Sequence, residues 1–539
     1  MSRFLVVTTL VVAACFLFAP FVASAQHDGH AGALPPGFDE PMPLRTAALG
    51  PYGRRITTTS TDAQAFFDQG VQMMYAFAKD EAPRSFRTAW MADSTCAMCY
   101  WGEAWSWGSY LNGPMGPDDA PRAHHAAMKA SALVGGQNSE VEKRLIAAMA
   151  LRYEMEHDEV RRERLDTLYA RELAAVWADY PTDPDVGTLY AEALMLIEPR
   201  RGNWDAADRD VKKIHSVLES VLALDLKHPG GCHLYVHATE STTVPEKAAA
   251  CAEFLGTSIP GASHINHMPS HTWNRMGRWG DAVRANIMAW HSDQKAAIGD
   301  GFAIYPSHNL HMLLFAASMD GQGAVAVQAG KDYGKIVSGG SFYHALALVR
   351  FGRFDEILEL EDRPTQPVYR GLWEFAKGYA HLRRGEPEFA RAYLERAEKV
   401  VAMGDSVNFR GHPAGTLVGS VAGILRGEIL RAEGRLDDGI EALRKAVTLE
   451  DRLVYDEPEP LNFSARDWLG AALLEAGRAV EAERVYRKAE ADHPHNGWAL
   501  LGIAQALRAQ GLTAEANEAQ AAFEAAWARS DTWIRGSRF

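Results

Sequence analysis

Two short segments near the end of the chain, A-G-R-A-V-E-A at residues 476–482 and Q-G-L-T-A-E-A at residues 510–516, repeat one pattern at a fixed spacing. Their glycines, Gly477 and Gly511, lie 34 residues apart, and the Glu-Ala pair of each segment has the same spacing. An apolar helical run precedes each glycine and an amphipathic run follows it. A glycine between two such runs is typical of the turn that ends one helix and leads into the next.

The same turn recurs earlier in the chain. Gly385 and Gly434 follow apolar helical runs, and Gly277 and Gly352 stand in the related sequences G-R-W and G-R-F. A period of 34 residues is that of the tetratricopeptide repeat (TPR), in which one helix pair cannot bury its apolar face alone and therefore stacks on the next pair. No segment stands out with the alternation of apolar and polar residues that strands show. The sequence therefore predicts an all-α, TPR-like α-solenoid of stacked antiparallel helix hairpins.

The chain is 539 residues long, which is too long for one compact core unless the fold is elongated or divided. Composition and periodicity divide it into four segments: a signal peptide at 1–25, a Pro/Gly-rich N-terminal lead at 26–60, an N-terminal helical-repeat region with a histidine-rich stretch at 61–360, and a C-terminal TPR array at 361–539. The repeat period is clearest in the last of these segments.

Two inserts rich in Pro, Gly and Asn interrupt the C-terminal array, at residues 404–418 and 452–465. Inserts of this kind map to loops on one face of a solenoid, often the binding face. The second insert contains Y-D-E-P at 455–458, which either directs acidic side chains into the groove or caps a helix. Asn274 and Arg275 are further candidates, for orienting a substrate or a water molecule.

The first 25 residues have the features of a signal peptide. Arg3 supplies a positive charge, residues 4–22 are apolar, and A-S-A at 23–25 is a small-residue cleavage site. We expect cleavage after Ala25 and a mature protein in the periplasm or outside the cell. A bacterial lipoprotein site at Cys15 is the alternative, and it is less favoured because cleavage before Cys15 would leave an apolar tail. Later apolar segments are amphipathic or short, so we expect no transmembrane helix after removal of the signal peptide.

Removal of the signal peptide leaves four cysteines: Cys96, Cys99, Cys232 and Cys251. An even number in an oxidising compartment predicts disulfides. Cys232 and Cys251 lie on consecutive predicted helices, so a bond between them is the simplest pairing. The C-x-x-C at 96–99 is compatible with a redox or metal role, but no βαβ pattern surrounds it, which favours a local structural disulfide. A zinc site made from all four cysteines is the weaker alternative.

The formal net charge of the chain is −14. Nucleic-acid-binding proteins usually present a basic surface, so we expect no nucleic-acid partner. A TPR solenoid offers a groove instead, and we expect a small-molecule or peptide ligand there.

Nine of the 20 histidines fall in the 84 residues from 228 to 311. Six of them form three pairs, each near a helix-start signal: Gly230-Gly231, Pro269 or Pro306. These six are the candidate metal ligands: His233, His237, His267, His271, His308 and His311. We expect His271 inside a helix that starts near Pro269, and His267 just before that helix.

The positive end of a helix disfavours imidazolium, so histidines near helix starts tend to stay neutral, and neutral imidazole is the form that binds metal. Glu240 lies three residues after His237 on the same predicted helix face, and we expect Glu240 and His264 to act as ligand or general base. Six imidazoles indicate a paired-copper site, whereas a set that includes Glu240 favours iron, manganese or zinc. The sequence leaves that choice open.

Three functions are compatible with this pattern. The first is a metal-dependent enzyme in the periplasm, an oxidoreductase or a hydrolase. The second is a TPR scaffold that binds a peptide or a partner protein and whose histidines are structural, each bonded to a backbone carbonyl. The third is a metal carrier without catalysis.

Several motifs accompany the repeats: H-L-Y-V-H-A-T-E-S at 233–241, H-M-P-S-H-T-W-N-R-M-G-R-W at 267–279, Y-P-S-H-N-L-H-M at 305–312, Y-D-E-P at 455–458 and N-G-W-A-L-L-G at 496–502. With them, nearly the whole mature chain resembles a family of exported bacterial TPR proteins. The resemblance implies export and the TPR fold, and it implies no activity. Members of that family usually carry Phe-Asn-His where this chain has Phe77-Ala78-Lys79, so this chain lacks that histidine.

Overall fold

The structure, a computed structural model, describes residues 37–198 and 204–539. The predicted signal peptide, its cleavage site at Ala25 and the alternative lipoprotein site at Cys15 all lie outside the described residues.

Helices account for nearly all of the regular structure in the described residues. The first ten are α1 (Thr61–Tyr75), α2 (Ala82–Ala92), α3 (Ala97–Trp107), α4 (Asp119–Leu133), α5 (Glu140–Leu151), α6 (Glu159–Asp179), α7 (Pro184–Ile197), α8 (Arg209–Leu224), α9 (Pro229–Glu240) and α10 (Ala249–Leu255). The next seven are α11 (Ser263–His267), α12 (Pro269–Arg275), α13 (Trp279–Ala296), α14 (Pro306–Met319), α15 (Gly323–Ile336), α16 (Ser341–Arg350) and α17 (Phe354–Glu359). The last eight are α18 (Pro367–Arg383), α19 (Pro387–Val401), α20 (Ala414–Ala432), α21 (Leu436–Glu450), α22 (Ala465–Glu475), α23 (Ala479–Asp492), α24 (Gly497–Ala509) and α25 (Thr513–Ala526).

Short 3-10 helices occupy Thr46–Ala48, Pro245–Ala248 and Gly404–Ser406. A small hairpin of two antiparallel strands, β1 (Asn408–Phe409) and β2 (His412–Pro413), lies in the first predicted insert. That insert is shorter than predicted, because α20 already begins at Ala414.

The helices begin where the sequence supplies suitable capping groups. The side chain of Ser60 accepts the backbone N–H of Ala63 at the start of α1, and Ser139 with Glu142 forms a reciprocal capping box at α5. Proline occupies the first position of six described α-helices, where its missing N–H costs nothing: α7, α9, α12, α14, α18 and α19.

Helix pairs stack in the C-terminal array as the 34-residue period predicted. Helix α18 packs on α19 and α20, α20 packs on α21 and α22, and α22 packs on α23 and α24. Each first helix thus contacts its own partner and the first helix of the next pair. Gly477 and Gly511 have φ values of 71° and 78°, a left-handed conformation that glycine adopts without steric cost. The all-α, TPR-like fold is confirmed.

The predicted N-terminal lead is anchored across the first repeat and α7 in its described part, residues 37–60. The side-chain amide of Gln72 donates to the backbone carbonyls of Gly50 and Tyr52. Arg54 forms ion pairs with Asp183 and Asp185 at 2.8 and 2.7 Å.

Buried apolar side chains form two main clusters in the described residues. The first draws on residues from Phe38 to Ile304, and the second on residues from Ala252 to Ile534. The two clusters overlap in sequence between α10 and α14, which is the part of the chain that carries most of the clustered histidines. The described helices include none that is both long and apolar enough to cross a bilayer.

Both predicted cysteine pairs lie at disulfide distance. Cys96 bonds to Cys99 at the start of α3, and Cys232 of α9 bonds to Cys251 of α10. The second bond ties the helix that carries His233 and His237 to its neighbour.

Candidate metal centre

Four helices carry the histidines that cluster in the structure: α9, α11, α12 and α14. Proline starts three of them, at Pro229, Pro269 and Pro306. His267 is the last residue of the short helix α11 rather than part of a loop. Since proline cannot donate an N–H, α11 and α12 are separate helices joined at Met268, so His267 and His271 fall on either side of the junction.

The first triad consists of His233, His237 and His264. One ring nitrogen from each lies within 4.8 Å of the others. The Nε2 atoms of His233 and His264 are 3.1 Å apart, and the ring centroids of His233 and His237 are 4.9 Å apart. All three side chains are buried.

The second triad consists of His267, His271 and His308, again with one ring nitrogen from each within 4.8 Å of the others. The Nε2 atoms of His267 and His271 are 3.0 Å apart. The ring of His308 lies 4.7 Å from that of His267, measured between centroids. These three side chains are also buried.

The two triads are adjacent. The ring centroids of His264 and His267 are 5.1 Å apart, and those of His237 and His271 are 5.5 Å apart. The six imidazoles therefore form one continuous cluster. Five of them belong to the predicted ligand set, and the sixth, His264, was predicted as a ligand or general base.

Four of these rings direct Nδ1 toward a hydrogen-bond acceptor that lies outside the triads. His233 Nδ1 donates to the backbone carbonyl of Tyr75 at 2.6 Å. His237 Nδ1 donates to Glu240 at 2.7 Å, and His271 Nδ1 donates to the other oxygen of the same carboxylate. His267 Nδ1 lies 3.3 Å from the amide oxygen of Asn286.

These partners fix the tautomers. The amide nitrogen of Asn286 donates to the carbonyl of Ala282 at 2.8 Å, so its oxygen is the atom that faces His267. A ring that donates through Nδ1 presents an unprotonated Nε2 when it is neutral. Metal-binding histidines have this arrangement, in which the second nitrogen donates to a carboxylate or a carbonyl.

In this geometry Glu240 accepts hydrogen bonds from histidines of both triads. Its two oxygens accept protons from one histidine of each triad, and the hydroxyl of Tyr455 also donates to it at 3.2 Å. Burial acts to raise the pKa of Glu240, but His271 and His237 outweigh it and hold that pKa well below the usual value. Glu240 is therefore an ionised carboxylate that joins the outer sides of the two triads.

Burial keeps most of the six rings neutral. Burial, followed by repulsion from neighbouring imidazoles, holds the pKa of four histidines well below the usual value: His233, His264, His267 and His308. Burial also lowers the pKa of His237, against the opposing effect of Glu240. For His271 burial again lowers the pKa, but the Glu240 carboxylate outweighs it and the net shift is upward.

Among the ring nitrogens that face one another in the first triad, hydrogen-bond acceptors outnumber N–H donors. His233 and His237 both present an unprotonated Nε2, and His237 Nε2 is buried without a hydrogen-bond partner among the described residues. His264 carries a single N–H when neutral, so it satisfies at most one of these two atoms. A cation placed among the three rings would satisfy the lone pairs that remain.

Aromatic residues enclose the first triad. The ring of Phe77 lies 4.2 Å from that of His233, and the ring of Tyr305 lies 4.9 Å from that of His264. Phe77 and Tyr305 have φ values of 59° and 58°, which cost non-glycine residues about 1–3 kcal/mol and are found mainly at functional sites. The strained backbone at both residues supports a functional role for this pocket.

The structure does not bring His311 into either triad. Its Nδ1 accepts a hydrogen bond from Arg410 at 2.7 Å, and its ring packs on that of Tyr343 at 4.3 Å. His308 and His311 are three positions apart, so their directions differ by about 60° around the helix axis. That rotation turns His311 away from the second triad, and we remove it from the candidate ligand set.

The two inserts close the pocket on the side of the C-terminal array. The hairpin of the first insert presents Arg410, which forms an ion pair with Asp456 of the second insert. Glu457 lies 3.8 Å from His271 Nδ1, and burial raises the pKa of Glu457 to about 8. Glu457 therefore faces the candidate centre, whereas Asp456 binds Arg410 and His412.

A cleft leads from the second triad toward the surface. His271, Tyr455 and Glu457 lie at its inner end, with Trp279, Met312 and Phe315 along an apolar wall. Asn274 and Arg275 line it too. The cleft has an empty volume of about 410 Å³, part of which is open to solvent.

Lys79 occupies the position where the resembling family carries histidine, and it lies outside both triads. Its Nζ donates to the carbonyl of Gly108 at 2.7 Å and lies 4.9 Å above the ring of Tyr110. Burial lowers the pKa of Lys79 to about 7. The two triads are complete without a ligand from this position.

No protein-family model matches the sequence, and no curated protein matches it either. Among solved structures, the APC/C hetero-tetramer Cut9–Hcn1 aligns over 87% of this chain and 74% of its own, at 11% identity and a TM-score of 0.29.

Two IFIT1 structures are similar to a comparable degree. The human IFIT1 dimer with m7Gppp-AAAA aligns over 89% of this chain and 92% of its own, at 11% identity and a TM-score of 0.31. A monomeric IFIT1 mutant with Gppp-AAAA aligns over 87% and 96%, at 10% identity and a TM-score of 0.33. At these values the similarity says nothing about what this chain binds.

Sequence reasoning missed the outer partners of the histidines. The carbonyl of Tyr75 lies 158 residues before His233, and Asn286 lies 19 residues after His267. A backbone carbonyl leaves no trace in a sequence. Asn286 is buried on a helix that is otherwise rich in alanine, and a lone buried amide is the one signal that pointed toward it.

Proposed function

We propose that this chain holds a pair of transition-metal ions, one in each histidine triad, and that the ions are copper. Two observations on the first triad carry the proposal: His237 Nε2 is buried without a hydrogen-bond partner among the described residues, and one ring nitrogen from each of the three histidines lies within 4.8 Å of the others. Metal–imidazole bonds are about 2 Å long, so three nitrogens at such separations fit around one ion. In the second triad, too, one ring nitrogen from each histidine lies within 4.8 Å of the others.

Ligand type favours copper over the other metals. Glu240 is bonded to histidine Nδ1 atoms, which leaves two sets of imidazole nitrogens without a carboxylate. Imidazole suits copper, zinc, iron and nickel, and copper binds nitrogen sites most tightly among divalent first-row metals. Copper held in such a site supplies one-electron and O₂ chemistry. We therefore infer an oxidoreductase rather than a hydrolase.

One grouping favours a different metal. Ligand atoms of His237, Glu240 and Glu457 also lie within 4.8 Å of one another, and a mixed set of imidazole and carboxylate suits iron, manganese or zinc. Binding there would require Glu240 to give up at least one of its hydrogen bonds to histidine.

Burial favours a resident cofactor over transport. Every histidine of the two triads is between 0% and 8% exposed. A carrier has to hand its metal to a partner, which needs ligands that reach the surface. Here release would require opening of the helices or of the two inserts.

The same proposal includes export. The signal peptide expected at 1–25, the two cysteine pairs at disulfide distance and the resemblance to exported bacterial TPR proteins support a mature protein in an oxidising compartment. Mass spectrometry of the protein purified from the periplasm of a bacterial host tests this: we expect the mature chain to begin at Gln26.

Metal quantification tests the centre directly. Untagged protein is stripped with a chelator, dialysed against copper, iron, zinc or manganese in turn, and analysed by mass spectrometry. We expect two copper ions per chain for the unaltered protein and one for His233→Ala or His267→Ala. His344→Ala, which alters a half-buried histidine on α16 outside both triads, is the matched control and should bind two. Less than one ion of any of these metals per chain would refute the centre.

A further inference from the structure

The last ten described residues, 530–539, lie along one side of the C-terminal array and contain no helix or strand. They cross the first helices of successive pairs, and each of five helices contributes one polar contact. The contacting residues, from α16, α18, α20, α22 and α24 in that order, are Arg350, Tyr379, Glu428, Asp467 and Gln505.

Ser537 is the most deeply buried residue of this segment. It is fully buried, and its hydroxyl donates to the backbone carbonyl of Asp467 at 2.6 Å. The same hydroxyl shares a hydrogen bond of 2.8 Å with the hydroxyl of Tyr486. Arg350, which forms a buried ion pair with Asp467 at 2.8 Å, reaches the carbonyl of Ser537 at 3.5 Å. A small hydroxyl side chain is what this position accepts.

Arg538 and Phe539 occupy two further positions. The guanidinium of Arg538 lies 3.3 Å from Glu428, a carboxylate that is fully buried on α20. The hydroxyl of Tyr379 donates to the carbonyl of Phe539 at 2.7 Å. The ring of Phe539 packs against Gly352, where an added Cβ would lie 2.7 Å from it.

The surface beneath this segment resembles a ligand-binding groove more than a core. Cores are apolar, whereas this wall presents a buried arginine, two buried carboxylates and two tyrosine hydroxyls. Exposed and buried residues also alternate along part of the segment: Trp533 is 73% exposed, Ile534 is 7% exposed and Arg535 is exposed. An extended peptide lying in a groove shows this alternation.

We propose that the inner face of the C-terminal array is a peptide-recognition groove whose partner is an extended segment with the sequence Ser-Arg-aromatic, and that residues 533–539 of this chain occupy the groove as a built-in competitor. A partner segment binds by displacing them. The Asp467 carbonyl and the Tyr486 hydroxyl select the serine, Glu428 selects the arginine, and the surface at Gly352 selects the aromatic ring.

A labelled peptide tests the proposal in the full chain. The peptide carries fluorescein on T-W-I-R-G-S-R-F, the sequence of residues 532–539, and binding is followed by fluorescence anisotropy. The variant Arg538→Glu/Phe539→Ala weakens the hold on the internal segment and leaves the groove intact. If the internal segment fills the groove 90–99% of the time, this variant binds the peptide about 10–100-fold more tightly than the unaltered chain.

Charge reversal provides the specificity control. Adding Glu428→Lys to that variant should abolish binding of the peptide and permit binding of a peptide in which glutamate replaces the arginine that corresponds to Arg538. Glu388→Lys, at an exposed glutamate on α19, is the matched control and should change neither. A folded Arg538→Glu/Phe539→Ala variant that binds no peptide, or binds it no more tightly than the unaltered chain, would overturn the proposal.

If that variant does not fold, hydrogen exchange on the unaltered chain tests whether a peptide displaces the internal segment. Addition of excess unlabelled peptide should speed amide exchange in residues 533–539, because the internal segment is displaced, and leave exchange in α22 and α24 unchanged. Exchange of the segment that stays as slow as that of those helices, with and without peptide, would show that it is a fixed part of the fold. None of these measurements depends on metal, so their outcome is independent of the copper proposal.

Discussion

Glu240 accepts a hydrogen bond from Nδ1 of His237 at 2.7 Å, three residues away on α9. The other oxygen of this carboxylate accepts the Nδ1 proton of His271, so one buried side chain orients one ring of each triad. Because each imidazole is held through Nδ1, its Nε2 points toward the proposed ion. The two proposed metal positions are therefore linked through a single carboxylate.

Replacement of Glu240 by glutamine should weaken copper binding at both positions. A glutamine amide has one oxygen and an NH₂ group, so it accepts from one Nδ1–H and opposes the other. Loss of such an outer partner typically lowers metal affinity about 10–100-fold. Titration against a copper chelator of known affinity measures the change. Glu219→Gln, which removes the charge of a carboxylate that accepts from Tyr235 and Lys247 and from no triad histidine, should leave the affinity unchanged. Equal affinity for Glu240→Gln and the unaltered protein would contradict this role.

The metal-free protein should lose stability steeply below pH 6.5. Four triad histidines have a folded-state pKa well below 6.5, the value expected for the unfolded chain. Below that pH the unfolded chain therefore binds more protons, and the free energy of unfolding falls by up to about 1.4 kcal/mol per pH unit for each such histidine. The contribution is fully present above pH 6.5 and is lost as the pH falls.

Urea denaturation of the metal-free protein at pH 7.5, 6.5 and 5.5 measures this dependence. His267→Gln removes one of the four groups and should reduce the slope, whereas His125→Gln, at an exposed histidine on α4, should not. A free energy of unfolding that stays constant between pH 7.5 and 5.5 would show that the buried rings already carry protons in the folded state.

Local spacing in the sequence predicted part of the candidate site correctly. His233 and His237 are four residues apart on one helix, and the structure places their rings 4.9 Å apart. The glycine turns at 477 and 511 predicted the stacking of α22 and α24 because a positive φ is a property of the residue itself. Both features depend on neighbours that are close in the chain.

The remaining parts of the candidate site depend on contacts between residues that are far apart in the sequence. His311 appeared equivalent to His308 in the sequence, but Arg410, 99 residues later in the first insert, binds its Nδ1. No local pattern reveals which of two histidines on a helix meets an arginine from a distant loop. The hydrogen bond between Glu240 and His271 could not be predicted for the same reason, since His271 lies 31 residues away on another helix.

The disulfide between Cys232 and Cys251 should support the metal centre, whereas that between Cys96 and Cys99 should not. The first closes a loop of about 20 residues and holds α9, which carries two histidines of the first triad. Loop entropy predicts that its loss costs about 3 kcal/mol, against about 2 kcal/mol for the four-residue loop at the second.

Paired serine variants test this difference. Cys232→Ser/Cys251→Ser should lower both the unfolding midpoint and the copper content, and Cys96→Ser/Cys99→Ser should lower only the midpoint. The second double variant is the matched control, because it also removes one disulfide. Full copper occupancy in the first double variant would show that packing alone holds α9 in place.

Removal of Arg410 should loosen the inserts without emptying the proposed centre. Its guanidinium binds His311, Asp456 and the carbonyl of Glu457, none of which belongs to a triad. In Arg410→Met, Asp456 keeps His412 as a partner at 3.1 Å but loses its ion pair, which should destabilise the protein by about 2–3 kcal/mol. Hydrogen exchange in residues 452–465 should become faster while copper remains at two per chain. Arg452→Met, at an exposed arginine of the same insert, should change neither quantity. Loss of copper from Arg410→Met would mean that the closed position of the inserts, and with it the bond from Tyr455 to Glu240, is needed to retain the metal.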